Sequence, residues 1–204
     1  MMAPGSTRAF ELPASLPVML LEHLYLLPGG VQPLFIFEER YRLMLDHALR
    51  TDRLFAIGER KRDGTIRPVL TAGLITSSVR AADGTSQLVL QGVHRMRITG
   101  WLQEEPFLIA AVEPFQTDRE PAHEIKRLAS EVEEIVEQFT APEIAGNLTL
   151  LRQLLRTKND AAFTCDLIAS LAVRRRPASR AILEERRLVR RLEILLGELR
   201  RDMA

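Results

Sequence analysis

The stretch from Leu27 to Arg42, LPGGVQPLFIFEERYR, constrains the fold more than any other part of the chain. Two adjacent glycines, Gly29 and Gly30, can adopt positive φ at little steric cost, and Pro28 and Pro33 fix φ on either side of them. These residues predict a tight turn that leads directly into an apolar segment. A glycine turn, a short strand and the start of a helix therefore follow one another within a few residues.

The segment after this turn predicts a buried strand followed by a helix. Leu34, Phe35, Ile36 and Phe37 form an uninterrupted apolar run, which is typical of a strand that is buried on both faces. A helix is expected to begin near Glu38, because acidic side chains are favoured at the positive end of the helix dipole.

Up to about residue 115 the chain is a succession of short apolar segments, which predict strands. We expect strands near residues 16–21, 33–37, 54–59, 69–78, 86–92, 94–102 and 107–114, with one helix near 38–50. Asp63-Gly64 and Asp83-Gly84 lie between apolar runs and predict hairpin turns. Seven short strands with one early helix predict a small closed or pseudo-barrel sheet.

From about residue 120 the apolar residues recur at spacings of three and four, which predicts helices to the end of the chain. We expect helices that begin near residue 120 and continue over 148–156, 161–173 and 182–201. Pro177 is expected to interrupt the helical pattern, and Ser179 to cap the final helix. The predicted class is α+β, with a β domain followed by a bundle of helices.

Three segments resemble a known family: Leu16-Pro17-Val18-Met19, the Leu27 to Arg42 stretch, and Gly92-Val93-His94-Arg95-Met96-Arg97-Ile98. Together they are similar to the N-terminal domain of Lon proteases and its free-standing bacterial relatives. The resemblance implies a β lobe like the PUA fold over residues 1–118 and a helical subdomain over 119–204. The family commonly has Ile-Phe-Glu-Pro-Arg-Tyr-Arg after the turn, and Glu39 here replaces the proline, which loosens the φ restraint in the first helical turn.

Several residues of these segments are interpreted as structural. They supply turns, fixed φ angles or close backbone approaches: Pro28, Gly29, Gly30, Pro33, Glu38, Gly73 and Gly92. The Glu38 carboxylate is expected to cap the helix or to pair locally with Arg40 or another cation.

The sequence lacks the catalytic motifs of a complete Lon protease. Such proteases combine an ATPase module with a serine-lysine dyad, but this chain has no Gly-x-x-x-x-Gly-Lys-Ser/Thr phosphate loop. Its three lysines, Lys61, Lys126 and Lys158, lie in a charged turn or on polar helix faces, with no motif that would bury one of them beside a serine. We therefore predict a protein that is not an enzyme.

No metal site or cofactor is predicted either. The four histidines are scattered through different elements, without the close spacing that metal ions favour. Cys165 is the only cysteine, so an internal disulfide is impossible, and its apolar helical setting predicts a buried, inert thiol.

Charge and hydropathy limit the partners and the location. A formal net charge of +1 gives no general reason to expect nucleic acid or an anionic membrane. No apolar run approaches the roughly 20 residues that cross a bilayer, and no signal-peptide pattern is present, so we expect a cytoplasmic protein. Acidic residues concentrate within 120–143 and arginines within 174–201, which indicates packed helices with complementary rims or a basic face for a partner.

The leading functional hypothesis, implied by the resemblance, is a recognition module that binds polypeptide segments or a protein partner. A groove is expected where the β lobe meets the helices. Phe35 and Ile36 are expected to lie mainly in the core. The candidate peptide-binding residues are Val31, Gln32, Leu34, Arg40, Tyr41 and Met44.

An alternative hypothesis is RNA binding. Arg95, Arg97 and Trp101 alternate along one predicted strand, so their side chains would share a face if no bulge intervenes. The arginines would contact phosphates and the indole would stack on a base, and PUA-like lobes in other proteins bind RNA. The same pattern equally fits an arginine whose stem is buried beside Trp101.

Overall fold

The computed structural model describes residues 12–22, 24–138 and 160–203. Within these ranges the strands are β1 (Ser15–Leu20), β2 (Val31–Ile36), β3 (Leu54–Gly58), β4 (Val69–Arg80), β5 (Ser86–Gln103) and β6 (Leu108–Pro114). The helices are α1 (Glu39–Arg50), α2 (Ala122–Gln138), α3 (Ala161–Ala172), α4 (Arg176–Glu184) and α5 (Leu188–Asp202). This order confirms the predicted α+β class, because four helices follow the last strand.

The sheet closes on itself and leaves β2 outside the closed part. Its strand order is β2-β5-β4-β3-β1-β6, and β5 also pairs with β6. All the pairs are antiparallel except β1 with β3. The pairing of β6 with both β1 and β5 removes those strands' free edges, as the predicted pseudo-barrel requires.

The prediction of seven strands was wrong in one place. Segments 86–92 and 94–102 form the single strand β5, which pairs with β2 and β4 in its first half and with β6 in its second. The register against β4 shifts between Ala72 and Gly73, and again between Ile75 and Ser77. Such irregularities bend a strand without ending it, so β5 continues through Gly92.

The prediction that β2 is buried on both faces was also wrong. Ile36 is only 3% exposed, whereas Phe35 is 57% exposed and Phe37 is 60% exposed. The strand lies at the edge of the sheet and contacts the core with one face only. Phe35 was expected in the core and instead lies on the outside, while Ile36 is buried as expected.

The glycine turn at the start of β2 connects to the middle of β5. The Gly29 amide donates to the Gly92 carbonyl at 2.8 Å, and the Gly92 amide donates to the Gly30 carbonyl at 2.8 Å. Gly29 has a φ of 83°, but Gly30 does not have a positive φ, so only the first glycine needs the conformation predicted for both. A Cβ on Gly92 would lie 2.2 Å from the Leu27 carbonyl oxygen, which explains why a glycine is needed there.

The other predicted turns are present. Gly64 and Gly84 have φ of 85° and 84°, and the second turn joins β4 to β5. Asp83 Oδ1 accepts from the amide and hydroxyl of Thr85, which stabilises the turn locally. Asp63 makes the same pair of contacts with Thr65.

Three apolar clusters hold the chain together. One fills the closed sheet and includes Leu70 and Met96. A second lies between α1 and the sheet and includes Met44. The third lies among the four helices from α2 to α5 and also includes Leu27 and Val69. The segment before the glycine turn and the start of β4 therefore contribute directly to the helical core.

The C-terminal helices differ from the prediction at one point. The expected helix over 182–201 is two helices, α4 and α5, separated by residues 185–187. Pro177 lies in the first turn of α4, where a missing amide is tolerated, and does not interrupt a helix. Ser179 lies inside α4, and its hydroxyl donates to the Arg175 carbonyl at 3.3 Å, so it does not cap α5. The Val189 amide in α5 instead donates to Glu120 at 3.0 Å.

The helix predicted to begin near residue 120 is confirmed as α2, and the one predicted over 161–173 is confirmed as α3. The Asp160 carboxylate accepts from the amides of Ala162 and Phe163 at 3.0 and 3.1 Å and so caps α3. The helix predicted over 148–156 lies outside the described residues. No described helix has the length and apolarity needed to cross a membrane.

Candidate functional site

An exposed apolar surface lies on the outer side of β2 and its neighbours. Val31, Pro33 and Phe35 alternate along β2 and therefore point to one side of the sheet. Phe35 is opposite Gln87 of β5, which is in turn opposite Val79 of β4, so these side chains form a row across three strands. We call the set Val31, Pro33, Phe35, Phe37 and Val79 the apolar face.

The two aromatic residues of the apolar face lie against each other. The rings of Phe35 and Phe37 are stacked, with centroids 6.0 Å apart and planes inclined by 25°. Val31 is 61% exposed and Val79 is 67% exposed. Large apolar side chains that are this exposed and adjacent are characteristic of interaction surfaces.

The backbone edge of β2 is less suited to binding than its face. In the described part of the chain β2 pairs with β5 alone, which leaves one edge unpaired. Pro33, in the middle of β2, has no amide to donate, and its carbonyl accepts from Gln32 Nε2 at 2.9 Å. An added strand would therefore lack a central donor and find a central acceptor occupied, which favours recognition by side chains on the apolar face.

The structure divides the predicted peptide-binding residues between surface and core. Val31 lies on the apolar face, whereas Gln32 is partly buried and lies on the other side of β2. Leu34 faces inward and packs against the α1 cluster. Met44 lies on the inner side of α1, which faces the sheet, and is fully buried in the same cluster. It therefore cannot contact a bound peptide at the surface.

Arg40 and Tyr41 lie at a separate cleft. The Arg40 guanidinium carbon lies 4.7 Å from the centroid of the Tyr41 ring, and Arg40 also pairs with Glu38 at 2.7 Å, as predicted. Glu38 makes no side-chain cap to α1. The Tyr41 hydroxyl donates to the Leu20 carbonyl at 3.2 Å, and burial raises the pKa of this tyrosine.

This cleft has a volume of about 400 Å³ and is lined partly by apolar side chains, including Phe107. The structure therefore brings Arg40 and Tyr41 together, but it separates them from Val31 on the apolar face.

Sequence reasoning missed Phe35, Phe37 and Val79 as surface residues. The signal that was available is the period-two pattern of Val31, Pro33 and Phe35, which marks one side of an edge strand. This pattern is hard to recognise within the continuous apolar run, because Leu34 and Ile36 on the inner side are apolar as well.

The alternative RNA-binding face is not assembled as predicted. Arg95 is only 4% exposed and points into the molecule, where its Nη1 donates to the carbonyls of Ile182, Leu183 and Glu185 at 2.7 to 3.1 Å. Its side chain satisfies carbonyls at the end of α4 and so cannot meet a phosphate.

The other two residues of that face stay at the surface. Arg97 pairs with Glu113 of β6, and Trp101 is 37% exposed. The register of β5 against β6 shifts between Ile98 and Gly100, so the strict alternation that would align Arg97 with Trp101 is broken.

A buried ionic cluster replaces the expected arginine surface. Asp166 of α3 accepts from Arg95 Nε at 3.1 Å, from Arg95 Nη2, and from Arg191 Nη1 of α5 at 3.1 Å. Burial raises the pKa of the Asp166 carboxyl, and the two guanidinium groups oppose that shift. Arg191 Nη2 also donates to the Thr117 hydroxyl at 2.7 Å. The cluster therefore joins β5 to the helices.

The remaining polar candidates form no reactive site among the described residues. Cys165 is fully buried, and burial raises the pKa of its thiol to about 12, as the predicted inert role requires. Within residues 12–22, 24–138 and 160–203, no three His, Cys, Asp or Glu side chains group closely enough to hold a metal ion.

Comparison with known proteins connects this geometry to a family. Residues 15–201 match the sequence model of the ATP-dependent protease La (LON) substrate-binding domain. Among solved structures, the N-terminal domain of a Mycobacterium avium complex Lon protease superposes with a TM-score of 0.72 at 21% identity, covering 91% of this chain and 98% of that one. A Lon N-terminal domain protein from Xanthomonas campestris gives a TM-score of 0.62 at 27% identity, covering 90% of this chain and 97% of that one.

Curated relatives are full Lon proteases, of which only a part is matched. Lon protease 2 of Herpetosiphon aurantiacus is 29% identical over 198 residues, which is 90% of this chain and 24% of the relative. The Lon protease of Desulfosudis oleivorans is 26% identical over 170 residues, which is 78% of this chain and 20% of the relative. The chain thus spans about a quarter or less of these relatives, and the resemblance inferred from its motifs is confirmed.

Proposed function

We propose that this chain, which belongs to the Lon protease substrate-binding domain family, binds non-native polypeptides through the apolar face and carries out no chemistry itself. The observation that carries the proposal is the exposure of Phe35 and Phe37 as a stacked pair on the face that also carries Val31 and Val79. Folded proteins bury such side chains, whereas unfolded polypeptides expose apolar segments that would cover them.

The energy available at the apolar face suits weak, sequence-tolerant binding. Burying a fully exposed phenylalanine is worth roughly 1.5–3 kcal/mol, so covering the exposed part of Phe35 or Phe37 yields about 1–2 kcal/mol each. Apolar burial is not directional, so many sequences can satisfy it. The occupied carbonyl and missing amide of Pro33 add to this tolerance, because recognition does not depend on a strand register.

The test compares an unfolded and a folded form of one small disulfide-containing protein. Its reduced, S-carboxymethylated form carries a fluorescent label, and binding to this chain is followed by anisotropy. We expect saturable binding of the unfolded form and at least tenfold weaker binding of the disulfide-intact form. Equal affinity for the two forms would contradict selective recognition.

A pair of variants assigns the binding to the apolar face. Phe35→Ser/Phe37→Ser is expected to weaken binding of the unfolded form at least tenfold, which corresponds to about 1.4 kcal/mol. Leu102→Ser is the matched control, because Leu102 is 64% exposed on β5 but lies outside the apolar face. The control should change the affinity less than twofold. Wild-type affinity in the double phenylalanine variant, with unchanged circular dichroism, would refute the proposed surface.

A further inference from the structure

A second cleft, between the β3–β4 connection and α4, is lined mostly by cationic side chains. It has a volume of about 920 Å³. Its basic residues come from two walls: Arg60, Lys61, Arg62 and Arg67 from the connection, and Arg176 and Arg180 from α4. We call this the basic cleft.

Three acidic side chains, Glu22, Glu59 and Asp63, also line the basic cleft. Arg67 pairs with Glu59 at 2.7 Å and with Glu184 of α4 at 3.0 Å, so its charge is compensated. Glu59 also accepts from the Tyr25 hydroxyl at 2.6 Å, and burial together with this contact raises the pKa of Tyr25 to about 12. The ion pair between Arg67 and Glu184 connects α4 to the β3–β4 connection.

The other cations of the basic cleft lack ion pairs of this kind. Lys61, Arg62, Arg176 and Arg180 form no ion pair with a residue in the described part of the chain, and Arg60 donates to the Gly64 carbonyl at 2.8 Å. Nearby Asp63 accepts from Thr65 within its own turn and also attracts Lys61 electrostatically.

The two arginines of α4 point the same way. Arg176 and Arg180 are four residues apart, which places them on one side of the helix, facing the cations of the opposite wall. Like charges that line one cleft raise one another's energy, and a negatively charged occupant relieves that repulsion.

We propose that the basic cleft binds acidic segments of polypeptides, in which carboxylates are clustered beside apolar residues. The cleft at Arg40 and Tyr41 supports a polypeptide in preference to a nucleic acid. The two clefts share Glu22 and Arg60, so one occupant can enter both. The cleft at Arg40 and Tyr41 presents apolar side chains together with Glu104 and Glu105. A chain of phosphates would be repelled there, whereas a peptide can place acidic residues in one cleft and apolar residues in the other.

This site differs from the apolar face in both residues and physical basis. No residue of the apolar face lines the basic cleft. Binding at the basic cleft should weaken steeply as salt rises, because it depends on exposed charges, while binding at the apolar face should persist.

The test uses a labelled peptide that has a run of glutamates flanked by leucine and phenylalanine, and a second peptide with glutamine in place of each glutamate. By anisotropy at low salt, the acidic peptide is expected to bind at least tenfold more tightly than the glutamine peptide. Equal affinities would overturn the proposal. An RNA oligonucleotide that binds more tightly than the acidic peptide at the same ionic strength would overturn the assignment to polypeptides.

Charge-reversal variants locate the binding. Arg176→Glu/Arg180→Glu is expected to weaken acidic-peptide binding at least tenfold. The control is Arg50→Glu/Arg119→Glu, which makes the same change of net charge at two exposed arginines that do not line the basic cleft. It should weaken binding less than threefold. Equal effects of the two variants would show that only net charge matters and would refute the site.

Two further variants keep the result interpretable. Lys61→Glu/Arg62→Glu changes the opposite wall at an exposed turn, and it should reproduce the loss even if the helix variant fails to fold. Phe35→Ser/Phe37→Ser should leave acidic-peptide binding within twofold of wild type. Loss of acidic-peptide binding in this variant alone would mean that the peptide uses the apolar face, which overturns the basic cleft without affecting the proposed function.

Discussion

We predict that removing the Asp166 side chain lowers the free energy of unfolding more than removing any other single side chain. It is 3% exposed and lies between Arg95 of β5 and Arg191 of α5, which are 4% and 1% exposed. Asp166→Ala would leave two guanidinium groups buried with no acidic partner at that point. A buried charge cannot regain its hydration, so both arginines would remain buried without the compensating carboxylate, which destabilises the folded state.

The magnitude follows from the contacts. Counting one charged contact for each of the two guanidinium groups, at about 1.5–3 kcal/mol apiece, gives a loss of about 3–6 kcal/mol. Breaking a buried ion pair by removing one partner typically costs about 3–5 kcal/mol, which agrees with that sum. For a chain of this size, 1 kcal/mol shifts Tm by about 2–4 °C, so we expect Asp166→Ala to lower Tm by roughly 6–20 °C.

The assay is guanidinium unfolding followed by far-ultraviolet circular dichroism, with Asp118→Ala as the control. Asp118 also pairs with an arginine, Arg186, at 2.5 Å, but the two side chains are 38% and 52% exposed. Such surface pairs contribute about 0–1 kcal/mol. If the free energies of unfolding of the two variants agree within 1 kcal/mol, the buried cluster does not carry the stability assigned to it.

A double variant checks the cause of the loss. Adding Arg191→Met to Asp166→Ala removes one of the two uncompensated charges and should recover part of the lost stability. Arg95 still donates to the carbonyl of Ile182, so full recovery is not expected. A double variant less stable than Asp166→Ala would show that packing of the Arg191 side chain, and not its charge, dominates.

Two other predictions concern single residues. Burial raises the pKa of the Cys165 thiol to about 12, so it should not react with Ellman's reagent at pH 8 in the native protein. The thiol should react fully once the protein is unfolded in guanidinium. A rapid reaction in the native state would disprove its burial. Gly92→Ala should lower the midpoint of thermal unfolding clearly more than Gly100→Ala, because a Cβ on Gly92 would lie 2.2 Å from the Leu27 carbonyl oxygen, whereas a Cβ on Gly100 meets nothing within 4 Å and neither glycine has a positive φ. Equal shifts in the two variants would mean that the turn moves aside freely.

Much of the fold could be predicted from local sequence patterns. The glycine turn, the hairpin glycines and the change of hydrophobic period near residue 120 each depend on neighbouring residues, and each corresponds to an observed feature. The burial of Cys165 followed from its apolar helical surroundings for the same reason.

The surfaces depended on contacts between residues far apart in the chain. Arg95 and Arg97 look equivalent in the sequence, yet the first meets Asp166, 71 residues later, and the second lies at the surface. A pattern of alternation cannot show which side of β5 the helices cover. The apolar run of β2 likewise could not show that Phe35 lies outside, because that depends on which face of the strand meets α1.

The amino-acid sequence by itself determined the family, the arrangement of a β-rich part followed by helices, and the absence of the phosphate loop, because these depend on short motifs and on local periodicity. The tertiary structure decided which side chains are available for binding. It buried Met44 and Arg95, exposed Phe35, and brought Arg176 opposite Lys61. The physical reason is that burial and charge compensation are set by packing between distant segments, and the identity of a residue does not specify its neighbours across that distance.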